Sequence, residues 1–321
     1  AIRNSWAFTA QTLYPEMLWP RRRRSLDNNA HKAREVHKMI RSVLCTLAAI
    51  LLVACISGDA AGEKKTVRLA YAQWSCATAA SNVVKAVLEE KMGYRCQLIP
   101  MGAEALWLST GSRHTDAFVC AWLPSLHQHF YAKTGYNVRD LGPNLKGPQV
   151  GLMVPEYVSI DSMAQVQEQA PQFNNRIIGI DPSAGIMRLT HKAIKAYNLQ
   201  DVELIAGSGP SMTRILEEKI SNQEWVVVTG WTPHWKFARW DLKYLHDPKD
   251  VFGGSESIHT VVRTGLRSEF PRVYQFLDSF SWNLEDIQLV MEMIHTSDAP
   301  YASAVSWVHQ HPQQVESWIA D

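Results

Sequence analysis

From Thr66 onward the chain alternates between two periodicities, and that alternation limits its fold more than any other feature. "TVRLAYA" reads as a strand and "ATAASNVVKAVLEEKMG" as a helix closed by Gly93. "YRCQLIP" is a strand, "AEALWLSTG" a short helix and "TDAFVCAW" a strand; "PSLHQHFYAKTG" reads as a helix with Pro124 in its first turn. "VGLMVP" follows as a strand, and "RIIGI" leads through "DPSAG" into a helix over "IMRLTHKAIKAYN". "VELIAG", "SMTRILEEKI" and "WVVVTG" continue as strand, helix and strand. After Leu245 come a strand, "IHTVVRTG", and three helices. Apolar strands separated by helices predict an α/β fold with parallel-type sheets covered on both faces. Ligands of such sheets sit at the carboxyl ends of the strands.

The length of 321 residues, with 46% hydrophobic and 20% charged, allows two domains with real cores. A net charge of +1 supplies no basic stripe, so no nucleic-acid partner is expected. The N-terminal part reads as an address rather than as fold. Residues 39–61 have a basic start at Arg41, an apolar run from Val43 to Ile56 and then small residues, the pattern of a signal peptide. The run is short for a membrane span. "LVAC" ending at Cys55 also has the form of a bacterial lipobox; simple cleavage near Ala60 or Ala61 is the alternative. Residues 1–38 read as an unstructured lead or an over-extended start. The expected location is periplasmic or otherwise extracytoplasmic, with a lipid anchor at Cys55 as the one membrane contact. Cys76, Cys96 and Cys120 remain, and an oxidising compartment permits one disulfide among them without selecting the pair. Their spacing matches no zinc pattern, and neither a metal nor a cofactor is expected.

Ten of the twelve tryptophans follow residue 62. Three of them stand at strand ends: Trp74 after "RLAYAQ", Trp122 after "DAFVCA" and Trp231 after "VVVTG". Indoles converging there make a box with electron-rich faces, suited to a cation without hydrogen-bond donors, a quaternary ammonium. An anion would suit His234, three residues past Trp231, and the helix start at Ala77 and Thr78. Box and anion corner together describe a small zwitterion such as glycine betaine. Trp235 and Trp240, on the segment after Pro233, read as packing residues, and Trp107, Trp225, Trp307 and Trp318 as structural. The two "HQH" triplets, at 127–129 and 309–311, read as solvated surface, because residues two apart on a helix do not share a face. Ser183 of "GIDPSAG" stands where a helix N-cap belongs.

"AWLP" (121–124), "DLGPNLKG" (140–147), "GLMVP" (151–155), "GIDPSAGIM" (179–187) and "VVVTGWTPHWKFARWDLKYLHDPKDVFG" (226–253) resemble, in collinear order, the glycine betaine-binding proteins of osmoregulatory ABC importers. The resemblance implies a bilobal type II periplasmic-binding-protein fold with the ligand cleft between lobes. Lobe 1 is then 62–148 and 252–321, and lobe 2 is 149–251. Hinge crossings fall near Gly147–Pro155 and Leu245–Ile258. The resemblance also implies an aromatic prism of Trp74, Trp122 and Trp231 with His234 on the carboxylate, and makes Trp282 a weaker candidate. Its partners are a permease and an ATPase of an ABC importer. The family often carries an acidic residue just after the first tryptophan; here Ser75, Cys76 and Ala77 follow. Choline, carnitine or proline betaine are alternative ligands. The alternative of another class is an enzyme using Cys76; with no base positioned beside that thiol, the chain is read as a binding protein and not an enzyme.

Overall fold

The computed structural model describes residues 35–41 and 65–320. Residues 35–41 are helical, so the segment read as an unstructured lead is not wholly so. The hydrophobic run and Cys55 of the signal reading lie outside the described residues.

Two five-stranded sheets form the body. The first contains β1 (Thr66–Tyr71), β2 (Arg95–Pro100), β3 (Ala117–Leu123), β4 (Val138–Lys146) and β10 (Ser257–Arg263), in the order β2-β1-β3-β10-β4. The second contains β5 (Gln149–Pro155), β6 (Arg176–Ile178), β7 (Glu203–Ile205), β8 (Val227–Thr232) and β9 (Leu242–Tyr244), in the order β7-β6-β8-β5-β9. The chain passes from one sheet to the other between β4 and β5 and returns between β9 and β10.

Both sheets are mixed, which corrects the expectation of parallel sheets. β1 runs parallel to β2 and β3, but β10 is antiparallel to β3 and β4. β6 runs parallel to β7 and β8, whereas β5 is antiparallel to β8 and β9. The antiparallel members are the strands that carry the chain across. Each enters its sheet from the opposite end, without a helix to turn it round. The sequence reading also missed β4. Its "VRDLGPNLK" is polar and holds Pro143, which an edge strand tolerates because one side of its ladder is open.

The central strand explains itself more directly. All seven residues of β3, "AFVCAWL", are buried, as expected of a strand covered on both faces. The helix Ser75–Ala86 packs on it, and the helices Leu284–Ser297 and Pro300–Gln310 pack outside that. Five helical segments, not three, follow β10. Phe270, Ala299 and His311 sit beside Pro271, Pro300 and Pro312, each of which opens a new helix and so divides the pattern. Trp282, Trp307, Trp318 and Phe280 form an aromatic cluster among these helices, with Trp307 and Trp318 stacked at 6.0 Å.

Candidate functional site

Trp74, Trp122 and Trp231 are brought together. The first two stand at the end of the first sheet and the third at the end of the second. All three line one narrow cleft, with Leu126, Val150, Ile180, Ala184, Gly185 and Ile186. Their exposures are 7%, 3% and 4%. Trp74 precedes the helix Ser75–Ala86 as its N-cap residue, and its indole N–H donates to Asp181 Oδ2 at 2.9 Å. That bond joins residues 107 positions apart and occupies the polar edge of the ring.

The segment 179–188 clasps the other side. Asp181 accepts from Trp74 and, at 2.6 Å, from the Ser183 hydroxyl. Ser183 Oγ in turn accepts from the Ala103 N–H at 3.1 Å, and Arg188 donates to the Ser125 carbonyl at 2.7 Å. These contacts join residues of the second-sheet part to residues of the first-sheet part. Ser183 is therefore not the helix cap expected of it. Ala184 holds that position without a side-chain cap, and the hydroxyl is spent on the clasp. The helix Gly185–Ala196 then begins at the cleft wall. The Met187 N–H donates to the Ala184 carbonyl at 3.0 Å. The amides of Gly185 and Ile186, the first two of the helix, precede any intrahelical acceptor, and a helix start favours negative charge. A Cβ at position 185 would lie 2.6 Å from the Leu126 carbonyl oxygen, so glycine is what lets the helix start approach the loop after Trp122.

That loop carries a residue the sequence reading misplaced. His127 is 0% exposed, not solvated surface. The predicted helix over 124–135 begins only at Gln128, and Pro124–His127 form the turn before it. The His127 Nδ1 accepts from the Trp122 backbone N–H at 3.2 Å, so the ring proton belongs on Nε2. Nε2 is buried without a hydrogen-bond partner among the described residues. The ring lies 5.9 Å from Trp74 and edge-on to Trp107 at 6.1 Å, and Trp107 is itself held edge-on by Phe118 at 5.1 Å. Burial pushes the His127 pKa down to about 3, with His129 and Arg188 adding to the fall. The ring is a neutral donor at physiological pH. The signal for it was available: a histidine five residues after a strand-end tryptophan, with the intervening Pro124 turning the chain back.

The other candidates lie elsewhere. His234 is buried, with its ring edge-on to Trp231 at 4.9 Å, and its Nδ1 accepts from the Lys236 N–H at 3.2 Å. It lines a different opening, with Gln73, Ser75, Thr78 and Trp235, and is not among the residues around the three-indole cleft. Desolvation, then Lys236 and His295, hold its pKa well below the usual imidazole value. Ala77 is wholly buried in its helix, and the Thr78 N–H already donates to the Trp74 carbonyl at 2.8 Å. Trp282 belongs to the C-terminal aromatic cluster, and its ring is edge-on to Trp307 at 6.1 Å. Cys76 is buried with its sulfur 3.8 Å from that of Cys120. Trp235 stacks on His295 at 3.8 Å.

The arrangement therefore offers three indoles to a group without donors and, at the start of the helix at Gly185, backbone amides to an anion, with the neutral His127 ring packed beside Trp74. Comparison with known proteins points the same way. Residues 65–310 match the family model described as the substrate binding domain of ABC-type glycine betaine transport systems. Over 149 residues, 46% of the chain, it is 44% identical to the glycine betaine/carnitine transport binding protein GbuC of Listeria monocytogenes. The match spans about half the length of that relative, 50% of it. Among solved structures, lactococcal OpuAC, closed on glycine betaine, is similar with a TM-score of 0.76 and 38% identity, covering 80% of this chain and 100% of that one. The glycine betaine/L-proline-binding protein ProX of Borrelia burgdorferi is similar with a TM-score of 0.77 and 34% identity, covering 80% and 97%. With the two-sheet architecture and a match across most of its described length, this chain belongs to the substrate-binding domains of ABC-type glycine betaine transport systems.

Proposed function

We propose that the protein captures glycine betaine, or a closely related quaternary ammonium zwitterion, outside the cytoplasmic membrane and delivers it to an ABC permease driven by its ATPase. The observation that carries this reading is the convergence of three buried indoles on one cleft whose wall also holds Leu126 and the start of the helix at Gly185. The residue after Leu126, His127, places its ring 5.9 Å from Trp74, with its Nε2 buried and unpartnered among the described residues. The trimethylammonium group lies among Trp74, Trp122 and Trp231, each ring contributing roughly 0.5–2 kcal/mol. The carboxylate lies at His127 and the first-turn amides of Gly185 and Ile186. This moves the anion contact away from His234, Ala77 and Thr78. The lobes are 62–148 with 252–321, and 149–251. They close by a hinge motion at the two inter-sheet crossings, because the ligand touches both.

The export reading fits this role, with the mature chain starting at Cys55 with lipid or after Ala60 or Ala61 without it; the intact mass of exported protein distinguishes these. No chemistry is assigned to Cys76, whose thiol is buried against Cys120 rather than facing the cleft. Carnitine is a second ligand to test, since the Listeria relative is named for both compounds.

One calorimetric series tests the ligand class: glycine betaine, dimethylglycine, sarcosine and glycine at fixed pH and salt. Each methyl removed takes away roughly 0.8 kcal/mol of burial. It also leaves an N–H without an acceptor, costing about 1–3 kcal/mol more. Affinity falls at each step, and glycine does not bind measurably. Equal binding of sarcosine and glycine betaine would remove the indoles from the recognition.

A further inference from the structure

Lys236 is unexplained by the site as described. It opens the short helix Lys236–Arg239, is 0% exposed, and its ammonium has no hydrogen-bond partner among the described residues. A lysine usually extends its charged end to water, and a buried ammonium without an anion is expensive. Here Nζ lies 4.7 Å from the centre of the Trp231 ring and 5.7 Å from that of Phe237. Trp231 is a wall of the cleft, but Lys236 is not among the residues that line it. The ammonium therefore reaches Trp231 from outside the cage.

We propose that Lys236 is a specificity-determining residue acting through the wall of the cage: held against Trp231, it selects against quaternary amines of net positive charge and in favour of zwitterions. The inference rests on the ligand class proposed above. A cation inside the cage and the ammonium outside it share one indole, and like charges on either side of a ring repel. A zwitterion brings its carboxylate into the same site, so its charges largely cancel at Lys236. A choline-like ligand brings no such anion. At an effective dielectric near 20, a pair of unit charges about 10 Å apart across that wall repels enough to weaken binding roughly ten- to twentyfold when the ammonium is fully charged.

The groups facing Nζ leave the charge uncompensated. Cys76 faces it from the helix Ser75–Ala86, and Ser75 Oγ there is also buried and unpartnered. On its own segment stands His234, held neutral, with His295 beyond it on the helix Leu284–Ser297. Burial pushes the Lys236 pKa down to about 7, with Cys76 drawing it back up, so the ammonium carries charge for part of the time at neutral pH and more below it.

The test measures glycine betaine and choline affinities by calorimetry for the wild type, Lys236→Met, Lys236→Gln and Lys236→Arg, with a thermal melt of each. At pH 6, where most of the ammonium is charged, removing the charge with Met or Gln tightens choline about three- to tenfold and changes glycine betaine less than twofold, whereas at pH 7 the gain for choline is about twofold at most; Arg keeps choline weak at both. Wild-type choline affinity also falls as pH is lowered through 7, and that of Lys236→Met does not. Unchanged choline binding in both neutral variants would overturn the inference while leaving the ligand class intact. Loss of glycine betaine binding in them would overturn it too, by making Lys236 a carboxylate contact. A wild type that bound no quaternary amine would overturn the ligand class, and the inference with it.

Discussion

Replacing His127 with alanine separates the two anion corners that this chain offers. The Nε2–H is buried and unpartnered, and Nδ1 is already committed to the Trp122 N–H at 3.2 Å. A carboxylate accepting from that N–H makes a charge-assisted bond out of water, worth about 1.5–3 kcal/mol. Its loss weakens glycine betaine binding roughly ten- to a hundredfold. Choline has no carboxylate to lose, so its affinity changes little, and the ratio between the two ligands collapses. His234→Ala leaves that ratio near its wild-type value, because His234 lines a different opening and its Nδ1 is engaged with the Lys236 N–H. The assay is calorimetric titration of both ligands into both variants at pH 7.5, with near-ultraviolet circular dichroism to check that the indoles keep their packing. If His127→Ala bound glycine betaine normally while His234→Ala lost it, the anion corner would return to the helix start at Ala77 and the assignment made here would be wrong.

Trp122→Ala and Trp231→Ala each weaken glycine betaine binding by about 1–3 kcal/mol, from lost cation–π contact and burial together, whereas Trp235→Ala, whose ring stacks on His295, acts on melting temperature and leaves affinity near wild type. Asp181→Ala frees the Trp74 indole N–H and loosens Ser183 at once, so it weakens binding tenfold or more in calorimetry without touching the ligand. Acid destabilises the fold through His127. Its folded pKa of about 3 lies below the unfolded value, so the stability is whole above about pH 6.5 and is lost as pH falls toward 3, at up to roughly 1.4 kcal/mol per pH unit. Thermal melts of the wild type against His127→Gln between pH 7 and pH 4 show this as a steeper decline in the wild type.

What the sequence made legible followed from period and position. The strand-helix alternation located most of the elements, and the three strand-end tryptophans could be selected from ten because a strand's carboxyl end is where an α/β sheet exposes side chains to a cleft. The misses have a common origin in long-range geometry. β4 and the antiparallel entries of β5 and β10 depend on how the chain crosses between sheets, which no local period encodes. His127 was read with its neighbour His129 as one surface pair, yet the turn at Pro124–His127 sends the first into the core while the second stays half-buried. His234 is near Trp231 in sequence, yet it lines a different opening from the three-indole cleft. Proximity along the chain says nothing about which face of an indole a neighbour occupies.

The division of labour between the two parts of the molecule gives the clasp its meaning. Trp74, Trp122 and His127 come from the first-sheet part, and Trp231, Asp181, Gly185 and Ile186 from the second. Neither part alone holds a complete cage or a complete anion corner. The protein's own hydrogen bonds between the two parts include Trp74 to Asp181, Ala103 to Ser183, Arg188 to Ser125 and Leu126, and Arg239 with His295. Hydrogen bonds of this kind contribute only about 0.5–1.5 kcal/mol each, or up to about 3 where a charged group takes part, and water replaces them when the parts separate. They orient the closed form more than they secure it. A zwitterion contacting both parts adds the burial of its methyl groups and a charge-assisted bond, and so shifts a closely balanced equilibrium toward closure. The placement of Arg188 sharpens this. Its guanidinium ties the helix that starts at Gly185 to the loop between Trp122 and His127, the two segments to which the proposed function assigns the carboxylate. On the proposed function, charge recognition and lobe closure run through the same contact, and the cleft is expected to discriminate as it shuts.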